Sequence, residues 1–330
     1  MRFTKLPKNS LSYFYLGLII TYIIWGAAGP IIKLTLDYVP PYTFLFIRFL
    51  LVCILVLPHV LYNLKHESVN PKVYLKIFVL GVFAQTSLIF IFLGLKYTSS
   101  LEATIISLLG PLLSVWAGHF FYKERIELNI KLGLAIATLG TIFVALEPIL
   151  TEAHLTVEVE KRIFGNFMVI LNNLSFLLYI IWSKISMGQS NVMIKKSLKY
   201  IHMKPMTKSY SPILLTSLSF YIGLITFIPF SLLELGGYFG PVSFSLIGLS
   251  AIPVVGILFM AIFSSIVAYY LFEWSLTKVS VKETAVFSYL QPIFTLPFAY
   301  WLLRELPNTN MMIGCIIIAF GVMIAEIKKS

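Results

Sequence analysis

Residues 95–140 read LKYTSSLEATIISLLGPLLSVWAGHFFYKERIELNIKLGLAIATLG, and residues 276–321 read LTKVSVKETAVFSYLQPIFTLPFAYWLLRELPNTNMMIGCIIIAFG. Slid by 181 residues, the second lies on the first without a gap, and Glu102/Glu283, Ser107/Ser288, Pro111/Pro292, Glu124/Glu305, Gly133/Gly314 and Gly140/Gly321 coincide. Chance likeness between apolar helices would not keep acids, prolines and glycines in register. A shorter echo lies upstream, YIIWG at 22–26 and YIIWS at 179–183, 157 residues apart. The two offsets differ by 24 residues, which one insertion reconciles. The chain reads as a duplicated unit.

Composition says what the unit is made of. Hydrophobic residues are 58% of the 330 and charged residues 12%, more oil than a soluble fold can bury. The apolar residues come in blocks near the ~20 residues that a helix needs to cross a ~30 Å hydrocarbon layer. Ten such spans are expected, at about 12–36, 43–63, 73–95, 101–122, 129–147, 164–187, 212–233, 251–276, 281–303 and 310–327. Proline, glycine and charge break the run between them, as in VPPYT (39–43) and ELGGYFGP (234–241). The expected fold is an all-α integral membrane protein of two five-helix repeats, 1–147 and 164–330, joined by an external acidic connector at 148–163. Five is odd, so the repeats are inverted, an architecture of secondary transporters.

The net charge of +11 first suggests a polyanion partner. With a cytosolic amino terminus, however, 19 of the 25 Lys and Arg fall on the cytosolic side of the expected spans. That is the positive-inside bias. It puts both termini in the cytoplasm, points to the plasma (inner) membrane, and removes the need for nucleic acid. The basic stretch KKSLKYIHMKPMTK (195–208) is either a plain cytosolic connector or a contact for anionic lipid. The first apolar block is too long for a cleaved signal core and reads as a span. Cys53 and Cys315 both lie inside spans, with no disulfide framework and no metal-ligand spacing.

WGAAGPIIKLTLDYVPPYTFLFIRFLL (25–51) resembles the opening of the EamA domain of the drug/metabolite transporter superfamily. GLKYTSSLEATIISLLGPLLSVWAGHFFYKERI (94–126) is similar to that domain's close, and 275–321 to its second copy. The resemblance implies ten transmembrane helices, cytosolic termini and export of small metabolites. Aromatic amino-acid exporters of the YddG type are among its members.

Candidate site residues follow from what is polar, kinked or aromatic at membrane depth. Pro111 and Pro292 are expected near the middle of spans four and nine, each removing a backbone donor and kinking its helix. Around them Ser107 and Ser114 in one half, and Ser288 and Thr295 in the other, share a face at steps of three and four. That face is either a cavity wall or a close helix contact. Trp25 and Trp182 offer aromatic faces for stacking or for an ammonium group, or pack against helices and lipid. Gln85, Asn172, Asn173, Tyr269, Tyr289 and Gln291 are uncharged polar groups able to hold a substrate or to bond across helices. Arg48, about one turn into span two, calls for a cavity or a partner. Lys33 is expected to snorkel or to pair with Asp37 four residues on. Glu102, Glu124, Glu283 and Glu305, the repeated acids, are the candidates for gating or coupling.

These residues favour a secondary transporter exporting small, amino-acid-like metabolites by alternating access, with membrane lipids as partners and protons as a candidate coupling ion. A sugar-phosphate, nucleotide-sugar or lipid-linked substrate carrier on the same fold is the alternative. A phosphorylated substrate would require two or more inward cations. No zinc pair, phosphate loop or nucleophile elbow is present in the sequence. No enzyme, cofactor or metal is expected.

Overall fold

A computed structural model describes residues 10–66, 74–122, 128–147, 157–186, 211–240, 244–245, 249–279, 284, 287–288 and 290–326. Every regular element among them is helical. The first two helices, α1 (Ser10–Leu36) and α2 (Pro41–His66), meet at the Pro40-Pro41 corner. Proline opens α2 without loss, because the first-turn N–H has no intrahelical partner. Its neighbours find one in Glu234, whose carboxylate accepts from the Thr43 amide at 2.7 Å and hydroxyl at 2.9 Å.

The third block is α3 (Tyr74–Gly81), a π-helical turn at Val82–Thr86, then α4 (Leu88–Tyr97). The fourth divides into α5 (Ser100–Ser107) and α6 (Leu109–Tyr122), and the fifth is α7 (Leu128–Ala145). Then come α8 (Val157–Ser186) and α9 (Pro212–Leu235). The next block is α10 (Ala251–Phe259), a π-helical segment at Met260–Val267, and α11 (Ala268–Leu276). The last two helices are α12 (Gln291–Leu303) and α13 (Thr309–Glu326).

Six helical stretches are long and apolar enough to cross a membrane: Ser12–Leu36, Pro41–Lys65, Tyr74–Tyr97, Glu158–Ser186, Ile213–Leu235 and Ala251–Leu276. The blocks expected at 101–122, 129–147, 281–303 and 310–327 contain shorter helices. The protein is thus an integral membrane protein of apolar helices. One expectation changes. The helix α8 begins at Val157, inside the stretch read as connector, with Glu158 and Glu160 in its first turn, where the helix dipole favours acids. Pro111 and Pro292 lie in the first turns of α6 and α12, and the helical run parts at Leu108 just ahead of Pro111, as a proline that removes a backbone donor requires.

Packing follows the sequence repeat. The helices α7 and α13 lie along each other, and the duplicated glycines are where they meet. A Cβ at Gly321 would sit 2.6 Å from the Gly133 carbonyl oxygen, and one at Gly314 would sit 3.5 Å from the Gly140 carbonyl oxygen. The repeat turns one contact into the other. The π-helical segments repeat as well, since 82–86 shifted by 181 falls on 263–267.

The YIIW echo does not mark counterparts. Gly94 and Ser275 are 181 apart; a Cβ at Gly94 would sit 3.1 Å from the Gly165 carbonyl oxygen, and one at Gly17 would sit 3.0 Å from the Ser275 hydroxyl. Gly17 and Gly165 are 148 apart, so YIIWG and YIIWS sit two turns or more out of register. Small residues let membrane helices approach closely, and this sets the fold's first test. Gly321→Leu is expected to destabilise the protein by roughly 1–3 kcal/mol or more through overpacking, read as a lower unfolding temperature in detergent. An unchanged temperature would contradict the α7–α13 contact.

Candidate functional site

Between the halves lies a cavity of about 170 Å³. Helices α1, α2, α4, α5, α6, α8, the two π-helical segments and the start of α12 all contribute to its wall. Of the residues expected at the site, Trp25, Arg48, Ser107, Pro111, Ser114, Tyr269, Ser288 and Gln291 line it.

Trp25 sits in an aromatic box. Its ring meets Tyr22, Phe176 and Tyr269 edge-on at 5.8, 5.8 and 5.5 Å, and Phe272 at 5.1 Å. The indole N–H donates to the Ser264 carbonyl at 3.4 Å, so a buried polar edge is paired while a face stays apolar.

Arg48 is 1% exposed. Its Nε donates to Ser265 Oγ at 2.8 Å, and that hydroxyl donates on to the Met260 carbonyl, five residues back in the π-helical segment. The guanidinium carbon lies 5.5 Å from the Phe49 ring and 5.9 Å from the Phe92 ring. No acid pairs with it among the described residues. Desolvating such a charge costs several kcal/mol, and cation–π contacts offset part of that.

The break between α5 and α6 frees backbone carbonyls, as a proline at 111 must. Asn173 Nδ2 donates beside that break, to Ile106 O at 3.2 Å. Ser107 and Ser114 return their own hydroxyls to the carbonyls of Ala103 and Gly110. Across the cavity Ser288 shares a hydrogen bond with the Tyr22 hydroxyl, which also reaches the Thr284 carbonyl at 3.4 Å.

Other expected residues stand outside the lining. Gln85 is buried and donates to Ser219 Oγ at 3.0 Å. Trp182 donates to the Lys76 carbonyl at 2.8 Å. Pro292 opens α12, and Thr295 donates to the Gln291 carbonyl one turn back. Glu124, Glu283 and Tyr289 lie outside the described residues.

Glu102 and Glu305 belong to a polar network that ties one end of the bundle. Arg304 adopts φ of 58°, closing α12 in a left-handed turn. Glu305 then accepts at the start of α5 from the Ser100 amide at 2.9 Å and hydroxyl at 2.5 Å, and from the Leu101 amide at 3.2 Å. Arg162 of α8 bridges Glu102 at 2.9 Å and Glu147 at 2.5 Å. Asn166 donates to Glu102, and Asn308 donates to Glu147. Lys33 makes no ion pair with Asp37; it donates to the carbonyls of Thr98 at 2.6 Å and Leu95 at 3.2 Å, which the end of α4 leaves free. Ala103 and Thr104, next to Glu102, already face the cavity, so the network stands beside one mouth of it.

Sequence reasoning missed Ser264, Ser265, Thr284 and Phe176 as parts of this site. A hydroxyl pair at 264–265 in an otherwise apolar run was the available signal. Its contact with Arg48 depends on the π-helical segment, which periodicity does not announce.

Similarity to known proteins agrees with this picture. A family model described as the EamA-like transporter family matches residues 12–146 and 163–326. An uncharacterized transporter of Archaeoglobus fulgidus is 28% identical over 323 residues, covering 97% of this chain and 99% of the relative. The uncharacterized transporter YyaM of Bacillus subtilis is 24% identical over 312 residues, with coverages of 92% and 90%. A protein crystal structure shares the fold with a TM-score of 0.59 at 17% identity, over 95% of this chain and 98% of that one.

Proposed function

The chain belongs to the EamA-like transporter family, and from that premise we propose that it is a secondary transporter exporting a small, amino-acid-like metabolite by alternating access. In this reading ten spans form two inverted five-helix repeats in the plasma membrane, with both termini cytoplasmic. The observation that carries it is a cavity walled by both halves, with a polar network across one end. The exchange of Gly133–Gly321 with Gly140–Gly314 supports a two-fold relation between the halves, because contacts that map onto each other under a repeat are what a two-fold axis produces.

Rocking of one half against the other would open the network at one end and close the opposite end. The aromatic box around Trp25 suits an apolar or aromatic side chain. Protons are the proposed coupling ion.

Counterflow into proteoliposomes tests the function. Vesicles loaded with neutral amino acids should accumulate labelled aromatic amino acid, and Trp25→Ala should weaken that exchange about tenfold, the value of one or two lost aromatic contacts. Exchange confined to phosphorylated sugars would overturn this substrate class in favour of the alternative.

A further inference from the structure

The cavity wall is chemically lopsided. Arg48 is the sole charged side chain among its described lining residues, and no carboxylate is among them. Its guanidinium stays charged at physiological pH and carries five N–H donors. One of these, on Nε, is taken by Ser265. Ser265 is the hydrogen-bond partner that Arg48 has among the described residues, and the side chain is buried and borders the cavity.

We propose that Arg48 is a carboxylate clamp, and that the cavity selects small organic monoanions with an apolar or aromatic body, an ammonium group on the substrate being dispensable. The proposal rests on the transporter reading of the same cavity and sharpens its substrate class. A planar fork of two terminal nitrogens matches one carboxylate end-on. The Ser265 bond holds Nε, so the two terminal nitrogens are the donors that remain for a ligand. The Phe49 and Phe92 rings flank the guanidinium and offer it no acceptor oxygen.

A single guanidinium matches a single negative charge better than a phosphate dianion. For a cation the wall supplies aromatic faces such as Trp25 and no counter-charge, so solutes bearing only an ammonium group are disfavoured. The position follows from sequence. Arg48 is the eighth residue of α2, about 10 Å from its start at 1.5 Å per residue, deep enough to meet the π-helical segment that carries Ser264 and Ser265.

The test is equilibrium binding to purified, detergent-solubilised full chain, read from the ligand dependence of its unfolding temperature. Two matched series serve as probes: phenylacetate, benzylamine, benzyl alcohol and benzyl phosphate; and hexanoate, hexylamine, hexanol and hexyl phosphate. Wild type should bind each carboxylate at least about tenfold tighter than its amine and alcohol, and tighter than its phosphate. Arg48→Gln should lose about thirtyfold or more of carboxylate affinity, the usual effect of removing one partner from a buried charge pair. Arg48→Lys should keep the charge and lose much of the preference, because an ammonium cannot present the fork.

Equal binding of carboxylate and amine by wild type overturns the clamp, and this comparison needs no variant to fold. So does tighter binding of both phosphates, or an Arg48→Gln protein that retains the carboxylate preference. Carboxylate-selective binding without any counterflow would sink the transporter reading and leave the clamp standing. Counterflow indifferent to the carboxylate would do the reverse.

Discussion

Arg162→Ala is expected to lower the stability of the folded protein by roughly 3–5 kcal/mol, the cost of stripping one partner from a buried ion network. Arg162 bridges Glu102 and Glu147, whose side chains are 0% and 1% exposed, while it is itself 25% exposed. Its removal leaves two buried carboxylates without their cation. Asn166 and Asn308 would still donate to them, and neither brings a charge. Arg162→Lys should recover part of the loss. Combining Arg162→Ala with Glu102→Gln and Glu147→Gln should recover more, because the uncompensated charges disappear with the guanidinium. The measurement is unfolding of purified protein in detergent. A loss under about 1 kcal/mol would mean that water screens the network as it does a surface pair.

The amino-acid sequence exposes some of this protein readily. Apolar blocks at membrane length and a glycine, proline and acid repeat at one offset already imply packed membrane helices in two related halves. The glycines at 133, 140, 314 and 321 were legible because close approach admits few other residues. The breaks were harder. Proline announced an interruption of its span, and the helical run does part at Leu108, just ahead of Pro111. The exact place was not legible, because nothing in a leucine forbids helix.

The YIIW echo misled for a related reason. Five apolar and aromatic letters recur easily in membrane helices, so they carry less register information than one glycine at a crossing. At the site, Trp25 and Arg48 stood out as large polar or aromatic groups at depth. Their partners did not, since Ser264 O, Ser265 Oγ and Phe176 reach them only through tertiary contact. Lys33 was read against Asp37, its local neighbour. Its true partners are carbonyls on α4, more than sixty positions away, set free by a helix end that sequence spacing does not relate to it.

The second large effect concerns movement. Glu305, at the close of α12, caps α5 through Ser100 and Leu101, and so joins the second half to the first at the tied end of the cavity. If transport requires this end to part, a covalent bond across it should reduce exchange to background. The one measurement is therefore counterflow by a protein with Ser100→Cys and Glu305→Cys, in which Cys53→Ala and Cys315→Ala remove the native thiols, before and after reaction with a short reducible cross-linker. Each single-cysteine protein, treated in the same way, separates loss of the cap from loss of motion. The account predicts exchange before cross-linking, background exchange after it, and recovery on reduction. Undiminished exchange by fully cross-linked protein would contradict it.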